Sequence, residues 1–339
     1  MFLFPKKLSI VVVVIFIIVF FGVFRFVAYT KVSSNTKPET FVLAQGDDAL
    51  MVAKNLYAQE LIGHPSYFLY YFWEQKLRGT LIAGTYLIVP KTTVPEISHM
   101  FVQGDVMTND VKITFPEGWT SIQMAERLTA NGLDGGTFLE MIASPSEEIK
   151  KRFDFVSALP RKQSLEGYIF PDTYIFTRDI ATEDYIVKML ANFDRKFTNE
   201  MRAETLRQER TIHEVVTLAS IIEQEVRSEQ DRKIVSGIFQ NRLKVGQALQ
   251  SDATVRFALG ETKVQHSLED IKIASPYNTY ENPGLPPGPI TNPGSVSLNA
   301  ALFPTDTSYN FFLNNPETGQ TVFAETFEQH KLNKAANGL

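Results

Sequence analysis

Hydrophobic positions change their period several times along the chain, and each change marks an element. Leu8 to Phe24 is apolar or small throughout. As a helix this run extends roughly 26 Å, or roughly 33 Å if continued to Tyr29, enough to cross a hydrocarbon layer of about 30 Å. Lys6 and Lys7 precede it, which predicts residues 1–7 as a cytoplasmic tail and 8–29 as a transmembrane helix. The rest of the chain is then expected outside the cytoplasm. The run outlasts the apolar core of a cleaved signal peptide. It closes on Phe24-Arg25-Phe26-Val27-Ala28-Tyr29, so a single-pass anchor is expected. Residues 30–39 are polar and read as a linker.

A pattern then occurs twice. Phe41-Val42-Leu43 leads through Gly46 into Leu50, Ala53, Leu56 and Leu61. Val111-Lys112-Ile113-Thr114-Phe115 leads through Gly118 into Ile122, Ala125, Leu128 and Leu133. Each copy predicts a strand, a tight turn and an amphipathic helix, with Asp48 and Thr120 at the helix caps. Gly84 to Val89 predicts a returning strand ended by Pro90, which makes residues 40–108 a small α+β module.

Residues 109–339 form the expected second domain, α+β with a helical core. Thr182 to Arg210 carries a helical stripe of Ile186, Met189, Leu190, Phe193 and Phe197, with Thr182 as cap. Glu214 to Glu229 and Asp231 to Leu243 predict two further helices. Ala274 to Gly294 is dense in proline, glycine, tyrosine and asparagine. An irregular stretch of that length more often serves function than architecture.

Composition narrows the chemistry. The net charge of −5 gives no reason to expect nucleic-acid binding, and a 44% apolar content fits a folded chain. There is no cysteine, so disulfides, thiolate metal sites and a cysteine nucleophile are excluded. His64, His99, His213, His266 and His330 are scattered without metal-ligand spacing, and no metal site is expected. Carboxyl groups remain. On a helical wheel Glu225 lies beside Leu218, Ile221 and Ile222, at the edge of the apolar face. Glu223 has Arg227 four residues on and reads as a solvated or paired charge. Burial raises a carboxyl pKa, so Glu225 is the better general acid. The plain alternative is a boundary glutamate with its head in water.

Several ordered blocks carry a resemblance to a known family. They are Phe115-Pro116-Glu117-Gly118-Trp119-Thr120; Leu165-Glu166-Gly167-Tyr168 through Tyr174; Leu218 through Glu225; Asn241-Arg242-Leu243; Leu249-Gln250-Ser251-Asp252; Ser275 through Tyr280; and Asn292-Pro293-Gly294. The chain resembles the YceG-like family of endolytic murein transglycosylases, also called MltG proteins. The resemblance implies an inner-membrane protein with a LysM-like module, then a transglycosylase domain. The implied reaction cleaves the MurNAc–GlcNAc bond of peptidoglycan glycan strands and leaves 1,6-anhydro-MurNAc ends, with no cofactor. Cell-wall synthesis machinery is the implied neighbourhood. The catalytic acid is implied within the Glu223/Glu225 pair, and the wheel selects Glu225. Glu223, Gln250, Asp252, Tyr277, Asn278 and Tyr280 are the substrate-binding candidates, with turn and loop capping as the alternative for the last five. Family members often carry a histidine where this chain has Thr321, while His330 is kept. Two other functions stay open: a muramidase-type hydrolase with Asp252 or Glu223 as second carboxylate, and a wall-binding scaffold without catalysis.

Overall fold

The computed structural model describes residues 6–30, 33–77, 79–107, 109–260, 270–315 and 318–338. Residues 1–5 of the expected tail, Lys31 and His266 lie outside them. The chain divides into two compact units, Met1–Asn109 and Asp110–Leu339.

The first unit starts with helix α1 (Lys6–Thr30), followed by β1 (Glu39–Leu43), α2 (Ala49–Ala58), α3 (Pro65–Glu74), β2 (Gly84–Ile88) and α4 (Val94–Gln103). Within α1, Val11–Thr30 is long and apolar enough to cross a membrane. β1 and β2 pair antiparallel, Phe41 opposite Tyr86. Their inward side chains meet Val52, Leu56, Phe68, Phe72 and Phe101 in one apolar core. The polar segment before β1 is bound to the module: Ser33 N–H donates to Thr92 O, Ser34 Oγ to Glu60 O, and Asn35 Nδ2 to Ile88 O. A flexible linker leaves such donors to water, so this stretch is part of the unit.

The second unit opens with β3 (Asp110–Thr114), α5 (Ser121–Ala130), α6 (Gly135–Ala143), α7 (Glu147–Arg152), α8 (Asp154–Ser157) and β4 (Thr173–Thr177). α9 (Thr182–Lys196), α10 (Asn199–Arg207), α11 (Ile212–Glu225), α12 (Glu229–Lys244), α13 (Asp252–Leu259) and α14 (Ser295–Leu302) follow. The hairpin β5 (Phe311–Asn314) and β6 (Thr321–Ala324) precedes α15 (Phe327–Ala336). β3 and β4 pair antiparallel with Ile113 opposite Tyr174. Both repeats of the sequence pattern fold alike. Gly46 and Gly118 turn at φ +94° and +78°, which a side chain resists, and Asp48 and Thr120 cap α2 and α5.

Three helical expectations shift. The stripe over Thr182–Arg210 breaks at Phe197, where Thr198 Oγ accepts from Met201 N and starts α10. Thr182 is the first helical residue, not the cap, and Ala181 occupies the cap position. The helix expected over Glu214–Glu229 starts at Ile212, because Thr211 and Glu214 form a capping box. It ends at Glu225, because Val226 turns extended and Ser228 caps α12.

α11 is the centre of the second unit. Every residue from Val215 to Ile222 is buried, and α14 packs across α10, α11 and α12. An apolar stripe on one face underestimates this helix. It is enclosed on all sides, and polar atoms collect at its C-terminal end.

Candidate active site

Of the two expectations for Glu223, a paired charge is what the structure shows, with a partner other than Arg227. Glu223 does not face water or Arg227. Its side chain is 4% exposed, Oε1 accepts from Arg232 Nη2 at 2.7 Å, and Oε2 accepts from Gly294 N at 3.0 Å. The wheel fails here because α11 stops at Glu225. Arg227 lies past the helix end and is exposed, while Arg232 returns on α12. Glu117 lies 4.0 Å from Arg232 across the same cluster, and burial and the Glu223 charge raise its pKa. A Cβ on Gly294 would come within 2.0 Å of the Glu117 carboxyl, so a side chain there would displace Glu117 from this cluster.

Glu225 is the last residue of α11. It points into a different polar cluster. Ser251 Oγ donates to its Oε1, and Asn314 Nδ2 donates to its backbone oxygen at 2.6 Å. Burial pushes the Glu225 carboxyl up to about 7, the Asp252 charge adds to this, and Ser251, Arg256 and Arg242 oppose it. The helix terminus supplies free carbonyls, whose negative potential also favours the protonated acid. Arg242 is buried. It donates Nη1 to Leu249 O at 2.7 Å and Nη2 to Asn310 O at 2.8 Å, tying α12 to two loops.

The expected binding residues separate into groups. Tyr280 donates its hydroxyl to Asp252 Oδ1 at 2.6 Å, and the Glu225 and Asp252 charges help burial raise the Tyr280 pKa. Asp252, Tyr280 and Glu225 are thus brought together. Asn278 is fully buried and clamps its own loop: Nδ2 donates to Ile271 O and Ile273 O, and Oδ1 accepts from Tyr280 N. It positions Tyr280 and is closed to a ligand. Tyr277 packs its ring at a tilt against Phe257, with centres 4.8 Å apart. Gln250 is exposed at φ +52°, its N–H bonded to Thr279 O. Sequence reasoning missed Ser251 and Asn314. Ser251 precedes α13 and suggests a helix cap, yet its side chain caps nothing and serves Glu225 instead. Asn314 sits on β5 with Thr321 Oγ1 3.1 Å from its Oδ1, and nothing in the local pattern marks it. Thr321, at the departure from the family pattern, also lies 3.1 Å from Asp231 Oδ2.

A third polar centre braces the first turn of α5. Asn292 is fully buried. Its Oδ1 accepts from Gly167 N and Ile169 N, and its Nδ2 donates to Trp119 O and Glu166 Oε1. Glu166 also accepts from Ser121 N at 3.0 Å, and burial lifts its carboxyl to about 7. Gln224 Nε2 donates to Gly118 O at 2.8 Å, which joins this junction to α11. The sequence blocks around Gly118, Glu166, Glu223 and Asn292 therefore meet in space. Among the described residues no group of three or more His, Asp or Glu is arranged to hold a metal.

This geometry defines an α+β protein with two buried carboxyls raised to about 7, Glu166 at the start of α5 and Glu225 at the end of α11. The YceG-like family model matches residues 41–336, and the chain belongs to that family. It is 40% identical over 174 residues to the endolytic murein transglycosylase of Bacillus subtilis (strain 168), covering 51% of this chain and 48% of that one. It is 28% identical over 329 residues to the protein of the same name from Streptococcus pneumoniae serotype 2 (strain D39 / NCTC 7466), covering 89% of this chain and 59% of that one. The chain thus spans about half to three-fifths of these relatives' lengths. A crystal structure of a yceG-like protein from Listeria monocytogenes superposes with a TM-score of 0.61 at 32% identity, covering 88% of this chain and all of the other.

Proposed function

We propose that this protein is a membrane-anchored lytic transglycosylase of peptidoglycan and that Glu225 is its catalytic acid. The observation that carries this reading is the Glu225 carboxyl, lifted to about 7 at the end of α11 and steered by Ser251. Half-protonated at neutral pH, such a group can give a proton and take one back. Family membership and relatives named endolytic murein transglycosylases supply the substrate class.

In the proposed reaction protonated Glu225 donates to the glycosidic oxygen between MurNAc and GlcNAc. That bond breaks, and the muramyl 6-hydroxyl attacks the anomeric carbon. The Glu225 carboxylate takes the proton of this hydroxyl. The product is a 1,6-anhydro end, and no water is consumed. Asp252, held by Tyr280, lies on the same side and is suited to favour the positive charge that develops on the sugar ring. The same pair favours the second reading, a hydrolase with Asp252 as second carboxylate.

α1 is read as the anchor, with the N-terminus cytoplasmic and both units outside, near the cell-wall synthesis machinery. The first unit is read as a LysM-like glycan-binding module, supported by its strand–helix–helix–strand order.

The test uses the full chain in detergent, purified peptidoglycan and mass spectrometry of the released fragments. Ends lighter by one water support the transglycosylase. Reducing ends select the hydrolase, and no release by the parent chain rejects both.

A further inference from the structure

α1 does not leave the first unit as a free stalk. Its last two turns lie against α3. Phe24 packs on Tyr67 and Tyr70 with ring centres 5.6 and 5.5 Å apart, and Tyr29 packs on Tyr71 at 5.1 Å. Around Tyr29 the contacts turn polar. Its hydroxyl bonds Glu74 at 2.5 Å, Gln75 Nε2 donates to it at 3.0 Å, and Arg25 pairs with Glu74. Apolar contact thus gives way to charge over five residues, about 8 Å of helix.

The same height marks the edge of a bilayer. Counted from Leu8, Phe24 is about 24 Å along the helix and Tyr29 about 32 Å, so a hydrocarbon layer of about 30 Å ends between them. On the side turned away from α3, α1 is still apolar there: Val23 is 58% and Phe26 67% exposed. Phe24 joins this apolar helix to one flank of α3. That flank carries Tyr70 and Trp73, 6.4 Å apart, and Trp73 is 64% exposed. Tyrosine and tryptophan are the residues that gather at the headgroup layer, where an apolar ring and a polar tip are both satisfied.

We propose that α3 is an interfacial element: Tyr67, Tyr70 and Trp73 lie in the headgroup layer of the bilayer that α1 crosses, and the first unit is seated on the membrane. This rests on the reading of α1 as an anchor and is independent of the chemistry at Glu225. The segment at Ser33, Ser34 and Asn35 is hydrogen-bonded to the module, which fits a seated module.

The chain has two tryptophans, so Trp119→Phe leaves Trp73 as the only one. The full-length variant is reconstituted in phosphatidylcholine–phosphatidylglycerol liposomes whose acyl chains are brominated either near the headgroup or near the methyl end. Trp73 emission is expected to be strongly quenched by the shallow bromine and weakly by the deep one. If Trp119→Phe does not fold, the same quenching is read as the difference between the parent chain and Trp73→Phe. A second chain, Phe16→Trp with both natural tryptophans replaced by phenylalanine, reports on α1 itself. Quenching of Trp at position 16 without quenching of Trp73 overturns the seated module and keeps the anchor. Quenching of neither overturns both. A Trp73 signal that ignores lipid and responds to added N-acetylglucosamine oligomers assigns the face to glycan and also overturns the proposal. Peptidoglycan cleavage is measured separately, so the fate of Glu225 does not bear on any of these outcomes.

Discussion

Among the described residues two carboxyls are lifted to about 7, and they sit at opposite kinds of helix end. Glu166 meets the N-terminus of α5, where a helix welcomes negative charge. Glu225 closes the C-terminus of α11, where a helix repels it. Burial dominates both and erases the difference. What separates them is the use of their oxygens. Both oxygens of Glu166 accept from Ser121 N, and Oε1 also accepts from Asn292. Glu225 is held through Oε1 by Ser251, and no hydrogen bond among the described residues reaches its Oε2. A raised pKa therefore does not by itself mark a catalytic acid. The proposed role of Glu225 rests also on an oxygen left for the substrate.

The largest expected effect breaks the pair most sharply. Glu225→Gln should lower glycan release by roughly 10²–10⁴-fold, the usual contribution of a general acid. It should leave the circular-dichroism spectrum unchanged. A variant with full release would move the acid elsewhere.

Next is the ion pair that keeps Glu223 out of the chemistry. Arg232→Ala leaves a carboxyl with a 4% exposed side chain short of its cation, and should lower stability by about 3–5 kcal/mol in urea unfolding. A loss under about 1 kcal/mol would mean that Glu223 is solvated after all, as exposed pairs are.

Glu166→Gln tests the other half of the comparison. In the unfolded chain this carboxyl loses its proton near 4.5, and in the folded chain near 7. Between these values the folded state holds the extra proton, so stability falls as pH rises from 4.5 to about 7 and then levels off. Removing the charge should stabilise the variant by up to about 3 kcal/mol at pH 8 and by nothing near pH 4. Its glycan release should persist. The thermal melts of variant and parent, compared across that range, give the answer, and parallel curves would count against a buried charge at Glu166.

Ser251→Ala carries the smallest effect. Loss of one hydrogen bond of about 1 kcal/mol should slow release roughly fivefold. Because Ser251 holds the Glu225 pKa down, the alkaline limb of the rate profile should also move to higher pH. A limb that stays in place would show that Ser251 only packs.

What the sequence made legible was local. Gly46 and Gly118 announce their turns because a turn needs its own residues, and Asp48 and Thr120 cap because capping acts over three positions. The returning strand of the first unit was legible too, whereas β4, which pairs with β3 from 59 residues on, was not. Partners were not legible. Glu223 was assigned to Arg227 by spacing along one helix, whereas its cation comes from the next helix after a break that Val226 introduces. Asn278 carried two readings, substrate binding and loop capping, and only its position in space shows it bonding its own loop. Ser251 and Asn314 meet Glu225 across 26 and 89 residues, distances at which no periodicity speaks.

Asn292 also sets an order in time. It bonds Trp119 across 173 residues and Glu166 across 126. Contacts of that span are the slow ones to form, since a long loop must close before they reward it. As the chain is made, β3, α5 and even α11 exist before Asn292 does. Until it arrives, Glu166 has Ser121 but not Asn292, and Gly118 N lacks the Asn292 carbonyl that holds the backbone on which Gln224 leans. The surroundings of Glu225 wait longer still, for Asn314, which follows it by 89 residues.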